Sequence, residues 1–182
     1  MCPLRSGALR TVTRWWTRAC DEKTLPSRHH IDLNEIRRVL DRVWLVEYVV
    51  EEEAYRYRLA GEHINATFGF SLRGKYLQDV IEPHMLPTVL HRFDHVLRGP
   101  GAVHATGRVY SRVDRHREGE RLILPLADDE RTPTHLFGVT DYWSSNVENT
   151  NALSPPEWME ENFLSLDEVR RWHEALAADP VR

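Results

Sequence analysis

Few side chains in this sequence stand at spacings that do chemistry. His91 and His95 are four apart, a helical separation that brings two imidazoles to one face and suits a transition metal. Cys2 and Cys20 are the two thiols, and neither belongs to a C-x-x-C pair, so neither a zinc site nor a thiol-redox centre is expected. Asp94, Asp114 and Glu120 are scattered carboxylates of the kind that normally stay solvated. Gly74-Lys75 lacks the rest of a phosphate-binding loop, and no G-x-S-x-G, H-E-x-x-H or Cys/His signature occurs. What remains is Tyr55, Tyr57 and Leu59 at alternate positions, which presents hydroxyls and apolar surface to one side of a strand. Such a mixture belongs to binding rather than turnover. An enzyme on a cone-shaped α+β fold is the competing reading, and it needs an acid or base turned inward beside the tyrosines.

The elements that position these groups are legible as periodicities. Residues 86–98 carry Leu86, Val89, Leu90, Phe93, Val96 and Leu97 on one broad helical face, with Pro87 in the first turn and Gly99-Pro100-Gly101 as the stop. At 100° per residue His91 and His95 fall opposite that stripe, so they are expected to point to solvent and no metal site is assigned. Residues 43–50 and 54–60 read as strands joined by the acidic turn 51–53. Gly61, Gly69 and Gly74 punctuate a segment with Phe68, Phe70 and Leu72, which predicts short helices and sharp reversals. Strands are predicted at 102–111, 120–126 and 135–143, with polar turns at 114–119 and 128–133. Asp32 caps a short helix, with Glu35 as its capping-box partner.

Helices flank this block. Residues 8–20 place Leu9, Val12, Trp16, Ala19 and Cys20 on one face, with Arg10, Arg14 and Arg18 as a solvated ridge on the other. Beyond a polar linker at 144–151, Pro155-Pro156 is read as opening a short helix with Trp158, Met159 and Phe163. Ser165-x-x-Glu168 is a capping box before a last helix carrying Val169, Trp172 and Leu176. Leu9, Val12, Trp16 and Trp172 are the interface candidates, in a homodimer or against a signalling protein, and Trp16→Glu is expected to change oligomeric state while leaving the fold intact.

The chain has 182 residues, 41% of them hydrophobic, with a net charge of -4. That suffices for a real core and offers nucleic acid no basic footprint. No apolar run reaches the length of a membrane span, and the N-terminal stretch lacks a secretory h-region, so no stable membrane insertion and a cytoplasmic location are expected.

The motifs Pro26-Ser27-Arg28, Tyr55-Arg56-Tyr57-Arg58-Leu59-Ala60-Gly61, Phe68-Gly69, Leu72-x-Gly74, Leu122-Ile123-Leu124-Pro125-Leu126-Ala127-Asp128 and Leu136-Phe137-Gly138-Val139 occur in that order. Together they resemble PAS sensory domains, and most closely a family of short, stand-alone bacterial PAS-like proteins known mainly from alphaproteobacteria. The resemblance spans about residues 25–143, which divides the chain into an N-terminal helix at 1–24, a PAS-like domain at 25–143 and a helical extension at 144–182. It implies an α+β fold: a five-stranded antiparallel sheet in the order 2-1-5-4-3 with helices on one face, to which the N- and C-terminal helices are added. It also implies a ligand pocket between sheet and helices. Tyr55, Tyr57, Leu59, Phe68, Leu77, Leu90, Phe93 and Leu124 are the pocket candidates, for an unidentified small molecule. Light-sensing flavin members need a cysteine after the second strand, and none follows Cys20; haem-binding members need an inward histidine on the long helix. Neither flavin nor haem is therefore expected. The function implied is a non-catalytic sensory or protein-interaction module whose output passes through a partner; a pure scaffold with a filled core is the bland alternative.

Overall fold

The computed structural model describes residues 3–20, 24–112, 115–129, 131–143 and 160–177. The β-branched and aromatic runs form the strands, as pleated half-buried surfaces favour them. These are β1 (Val43–Val49), β2 (Ala54–Ala60), β3 (Gly101–Arg112), β4 (Arg115–Leu126), β5 (His135–Trp143) and β6 (Glu160–Ser165). They make one antiparallel sheet in the order β2-β1-β5-β4-β3-β6. The expected five-strand order is present, with a sixth strand added beyond β3. The helices are α1 (Gly7–Ala19), α2 (Leu33–Ile36), α3 (Glu62–Phe68), α4 (Leu77–Val80), α5 (Leu86–Arg98) and α6 (Leu166–Ala177).

Both faces of the sheet are covered, so there are two cores. On one, Trp44, Val46, Tyr55, Tyr57, Val103, Ile123 and Leu136 meet Ile64 and Phe68 of α3, Leu77 of α4 and Val89, Phe93 and Val96 of α5. On the other, Val43, Ala102, Leu122, Leu124, Leu126, Phe137 and Val139 meet Leu9, Val12, Trp15 and Trp16 of α1, Ile36 of α2 and Val169 of α6. Ser6 caps α1 by accepting from the Ala8 and Leu9 N–H groups, and Trp16 Nε1 donates to the Pro125 carbonyl at 2.9 Å. Ser165 and Glu168 form the expected capping box at the start of α6: each accepts the other's N–H, at 2.8 and 3.3 Å.

The structure departs from these expectations in several places. Phe163 lies on β6, not on a helix: the unpaired edge of β3 takes up residues 160–165 as a strand, so tertiary pairing decides the conformation. Trp158, Met159 and the linker 144–151 lie outside the described residues. The stretch 115–119, read as a turn, is the first part of β4, because a hairpin arm that runs past the core carries polar residues without ceasing to be a strand. Asp114 lies outside the described residues. Leu9, Val12 and Trp16 are 0 % exposed, so the stripe expected to meet a partner is consumed by the chain's own sheet. Trp172 is half-buried with its ring edge-on to His104 at 5.7 Å, which likewise gives it an intramolecular contact. Of the arginine ridge, Arg18 is exposed and pairs with Glu35, while Arg14 is half-buried and donates to the Leu176 carbonyl. The Glu35 side chain is therefore turned to α1, while Asp32 caps α2 alone by accepting from Asn34.

Candidate functional site

A void of about 230 Å³ lies between the first face of the sheet and the shell of α3, α4, α5 and the loop after α4. Its walls are aromatic. Trp44 stacks on Phe93 with centroids 5.8 Å apart and meets Tyr57 edge-on at 6.4 Å. Trp44 can lie flat across the sheet because its partner on β5 is Gly138, where a Cβ would come within 2.1 Å of the indole. Phe68 and Ile64 close a second side from α3, and Val89 a third from α5. Gly69, at φ 82°, ends α3 in the left-handed conformation and turns the chain towards Phe70, which stands 38 % exposed beside the void.

The floor is polar, and the sheet register explains why. Glu161 on β6 stands opposite Ala105 on β3, Ala105 opposite Arg121 on β4, and Arg121 opposite Thr140 on β5. One row across the sheet thus reads acid, small, base, hydroxyl. Arg92 comes to this row from α5, is 5 % exposed, and its Nε donates to Glu161. Arg121 Nε donates to Thr140 Oγ1 at 3.2 Å, and Trp44 Nε1 donates to the same oxygen at 3.0 Å. Burial, together with the nearby charge of Arg121, lowers the Arg92 pKa, and Glu161 opposes the shift. Tyr57 is pushed up by burial, against the pull of Arg121, so its phenol stays protonated and able to donate.

The predicted pocket residues divide three ways. Tyr57, Phe68 and Phe93 line the void. Tyr55, Leu77 and Leu90 belong to the same core without lining it; Tyr55 Oη donates to Asp94 at 2.7 Å, and its pKa is raised by burial and by that carboxylate. Leu59 and Leu124 lie elsewhere. Leu59 is 44 % exposed because the register of β1 against β2 slips between Leu45 and Val46, a bulge at Arg58 that breaks the alternation running through Tyr55 and Tyr57. Leu124 is fully buried on the opposite face, in the core that holds α1. Trp44, Arg92, Arg121 and Thr140 went unpredicted. An arginine next to an apolar stripe reads as solvated, and only the position of α5 and β6 shows that Arg92 is not. As expected, His91 and His95 stay out of the void, His91 being exposed and His95 half-buried, and both rings lie against Phe163 of β6, at 5.2 and 4.9 Å. Among the described residues no three His, Cys, Asp or Glu side chains gather as a metal-binding group.

A second buried polar cluster lies on the far face. Glu120, 0 % exposed, accepts from the Ser6 N–H at 2.6 Å, from the Arg5 N–H at 3.1 Å and from His104 Nε2 at 2.8 Å. Two of the scattered carboxylates thus hold other parts of the chain: Glu120 anchors the start of α1, and Asp94 accepts from Tyr55.

The sequence model of the PAS domain family matches residues 4–141. The matched span begins ahead of α1, the helix read from the sequence as lying outside the resemblance. No curated protein matches the chain.

Proposed function

This chain belongs to the PAS domain family, and from that premise we propose that it is a sensory module whose signal is a small molecule held between the sheet and the α3–α5 shell. The observation that carries the reading is the void itself: about 230 Å³ with aromatic walls and a donor-rich floor has the chemistry of a binding site. A filled core, the scaffold alternative, leaves no such space. Occupancy acts by population shift, favouring the packing of α5 on the sheet that best fits the ligand. A contiguous path to the far face supports this: Arg92 of α5 holds Glu161 of β6, β6 runs directly into α6, and Trp172 of α6 lies over His104. Output then passes through α6 or α1 to a partner protein. The reading is of binding, without turnover.

Native mass spectrometry of the gently purified protein tests it, together with a thermal-shift screen of small metabolites. A retained mass that disappears on denaturation, or a compound that raises the melting temperature of the wild type but not of Val89→Phe, supports the reading. No retained mass and no stabilising compound overturns it.

A further inference from the structure

The polar groups that face the void are unequally divided between donors and acceptors. Arg92 enters from α5 and Arg121 from β4, and the two guanidiniums lie near enough that the charge of Arg121 disfavours that of Arg92. Thr140 Oγ1 already accepts from Arg121 Nε and Trp44 Nε1, so both its lone pairs are engaged and its own proton is left to donate. The Tyr57 phenol, close to Arg121, remains protonated. Glu161, which stands behind the floor and does not line the void, is held by Arg92. The acids that line the void, Asp79 and Glu82, lie nearer to solvent. Asp79 is exposed and accepts the Tyr76 N–H at 3.3 Å, and Glu82 lies 3.4 Å from His84. Charge is thus graded, basic at the sheet and acidic towards the surface. A ligand group that complements a floor of donors is one that only accepts, and a carboxylate does this with about four lone-pair sites in a plane that suits guanidinium.

We infer that the void takes a small organic anion, an aromatic carboxylate of single-ring size, with its carboxylate at Arg92 and Arg121 and its ring among Trp44, Phe68 and Phe93. The inference rests on the ligand-binding reading given above. Size sets the ring count: the volume is below the roughly 300–1,000 Å³ of drug-sized sites. The aromatic walls favour a flat ring, which stacks or meets them edge-on. The carboxylate relieves the mutual repulsion of the two guanidiniums and competes with Glu161 for Arg92.

The experiment compares benzoate and 4-hydroxybenzoate with benzamide and benzylamine on the full chain, by calorimetric titration and thermal shift. Either carboxylate is expected to bind about tenfold or more tightly than the amide or the amine, the size of a charge-assisted hydrogen bond. Arg121→Gln is expected to remove that preference; Arg121→Lys, which keeps the charge, is expected to restore part of it. Amide or amine binding as well as the carboxylates overturns the anion assignment and leaves the ligand reading standing. So does a retained native ligand without an acidic group. If all four probes fail, the anion assignment falls; the ligand reading falls with it only if native mass spectrometry shows an empty protein and the metabolite screen finds no stabilising compound. Because the wild-type chemical series discriminates by itself, a variant that does not fold leaves the test intact.

Discussion

The Glu120 carboxylate accepts two backbone N–H groups and one imidazole in a site without solvent, and that single acceptor set ties residues 5 and 6 to the sheet. Burial alone would raise its pKa, but the hydrogen bonds from His104, Ser6 and Arg5 outweigh it and hold the carboxyl below its ordinary 4.5. A depressed carboxylate contributes stability that is full above its unfolded value and is lost as pH falls through the folded one. His135 adds an earlier step. Burial lowers its pKa from 6.5, with Asp128 opposing and Arg28 assisting, so folding favours the neutral ring and stability declines as pH falls below 6.5. Thermal melts from pH 8 to 3 should show a gradual loss that begins near pH 6.5 and a second loss below 4.5. Glu120→Gln should flatten the lower segment and cost about 1–3 kcal/mol at neutral pH, the penalty for weakening a buried acceptor set; His135→Gln should flatten the upper one. Profiles parallel to wild type in both variants would remove these two groups from the acid response. Residue types alone gave no sign of this: Glu120 in sequence is one more carboxylate, and its role exists only because the chain returns to it from residue 5. Cys20 shows the same limit, since burial, against the pull of Arg170, pushes its thiol up to about 12, and nothing in its neighbours along the chain reveals that.

At the scale of elements, periodicity located the long helix and the strands, and it failed where facing is decided by something other than alternation. The predicted helix at 86–98 and the strands at 54–60 and 135–143 have the observed bounds. A helix shows its buried side directly, because its polar side is solvated. A sheet covered on both faces does not: Leu122, Leu124 and Leu126 alternate with Arg121 and Ile123, and the more apolar set lies on the α1 face, away from the void. The Arg58 bulge inverted Leu59 for a reason that no propensity encodes. The apolar stripe of α1 was legible; its destination was not, because an amphipathic helix fits its own sheet as well as a partner. That destination yields a clear expectation. Trp16 is fully enclosed and donates to the Pro125 carbonyl, so Trp16→Ala should cost about 3–5 kcal/mol. Sedimentation of the folded variant should give the same mass as wild type. A change of mass with unaltered stability would return α1 to the role of an interface.

Among the described residues the molecule is a six-stranded sheet with a core on each face, and the two differ in packing. The α1 face is closed by Trp15, Trp16 and Phe137, with Trp15 edge-on to Phe137 at 5.3 Å, while the α5 face borders the void. Strand order was available only through the resemblance, since non-local pairing leaves no periodic trace. The arginine floor was out of reach for a further reason: it needs Arg92, Arg121 and Glu161 from three elements that meet only when β6 closes the edge of β3. Removing residues 160–177 should therefore do two things at once. It should strip Glu161 from Arg92 and lower stability, and it should expose the β3 edge, so that light scattering shows association that rises with protein concentration. A shortened chain that stays monomeric and equally stable would mean that the edge needs no cover.

The sixth strand has one more consequence. Four of its six residues are exposed, Phe163 among them, so besides the Arg92–Glu161 pair and the His91 and His95 contacts to Phe163, what holds β6 is its backbone ladder with β3. A foreign strand seeking that edge meets a rival on the same polymer, and an intramolecular rival counts at an effective concentration that does not fall on dilution. Weak or generic strands are turned away by that arithmetic. Admission goes only to a sequence whose own affinity clears the threshold, or to one that arrives when the rival has been loosened, so the covered edge filters what can extend the sheet.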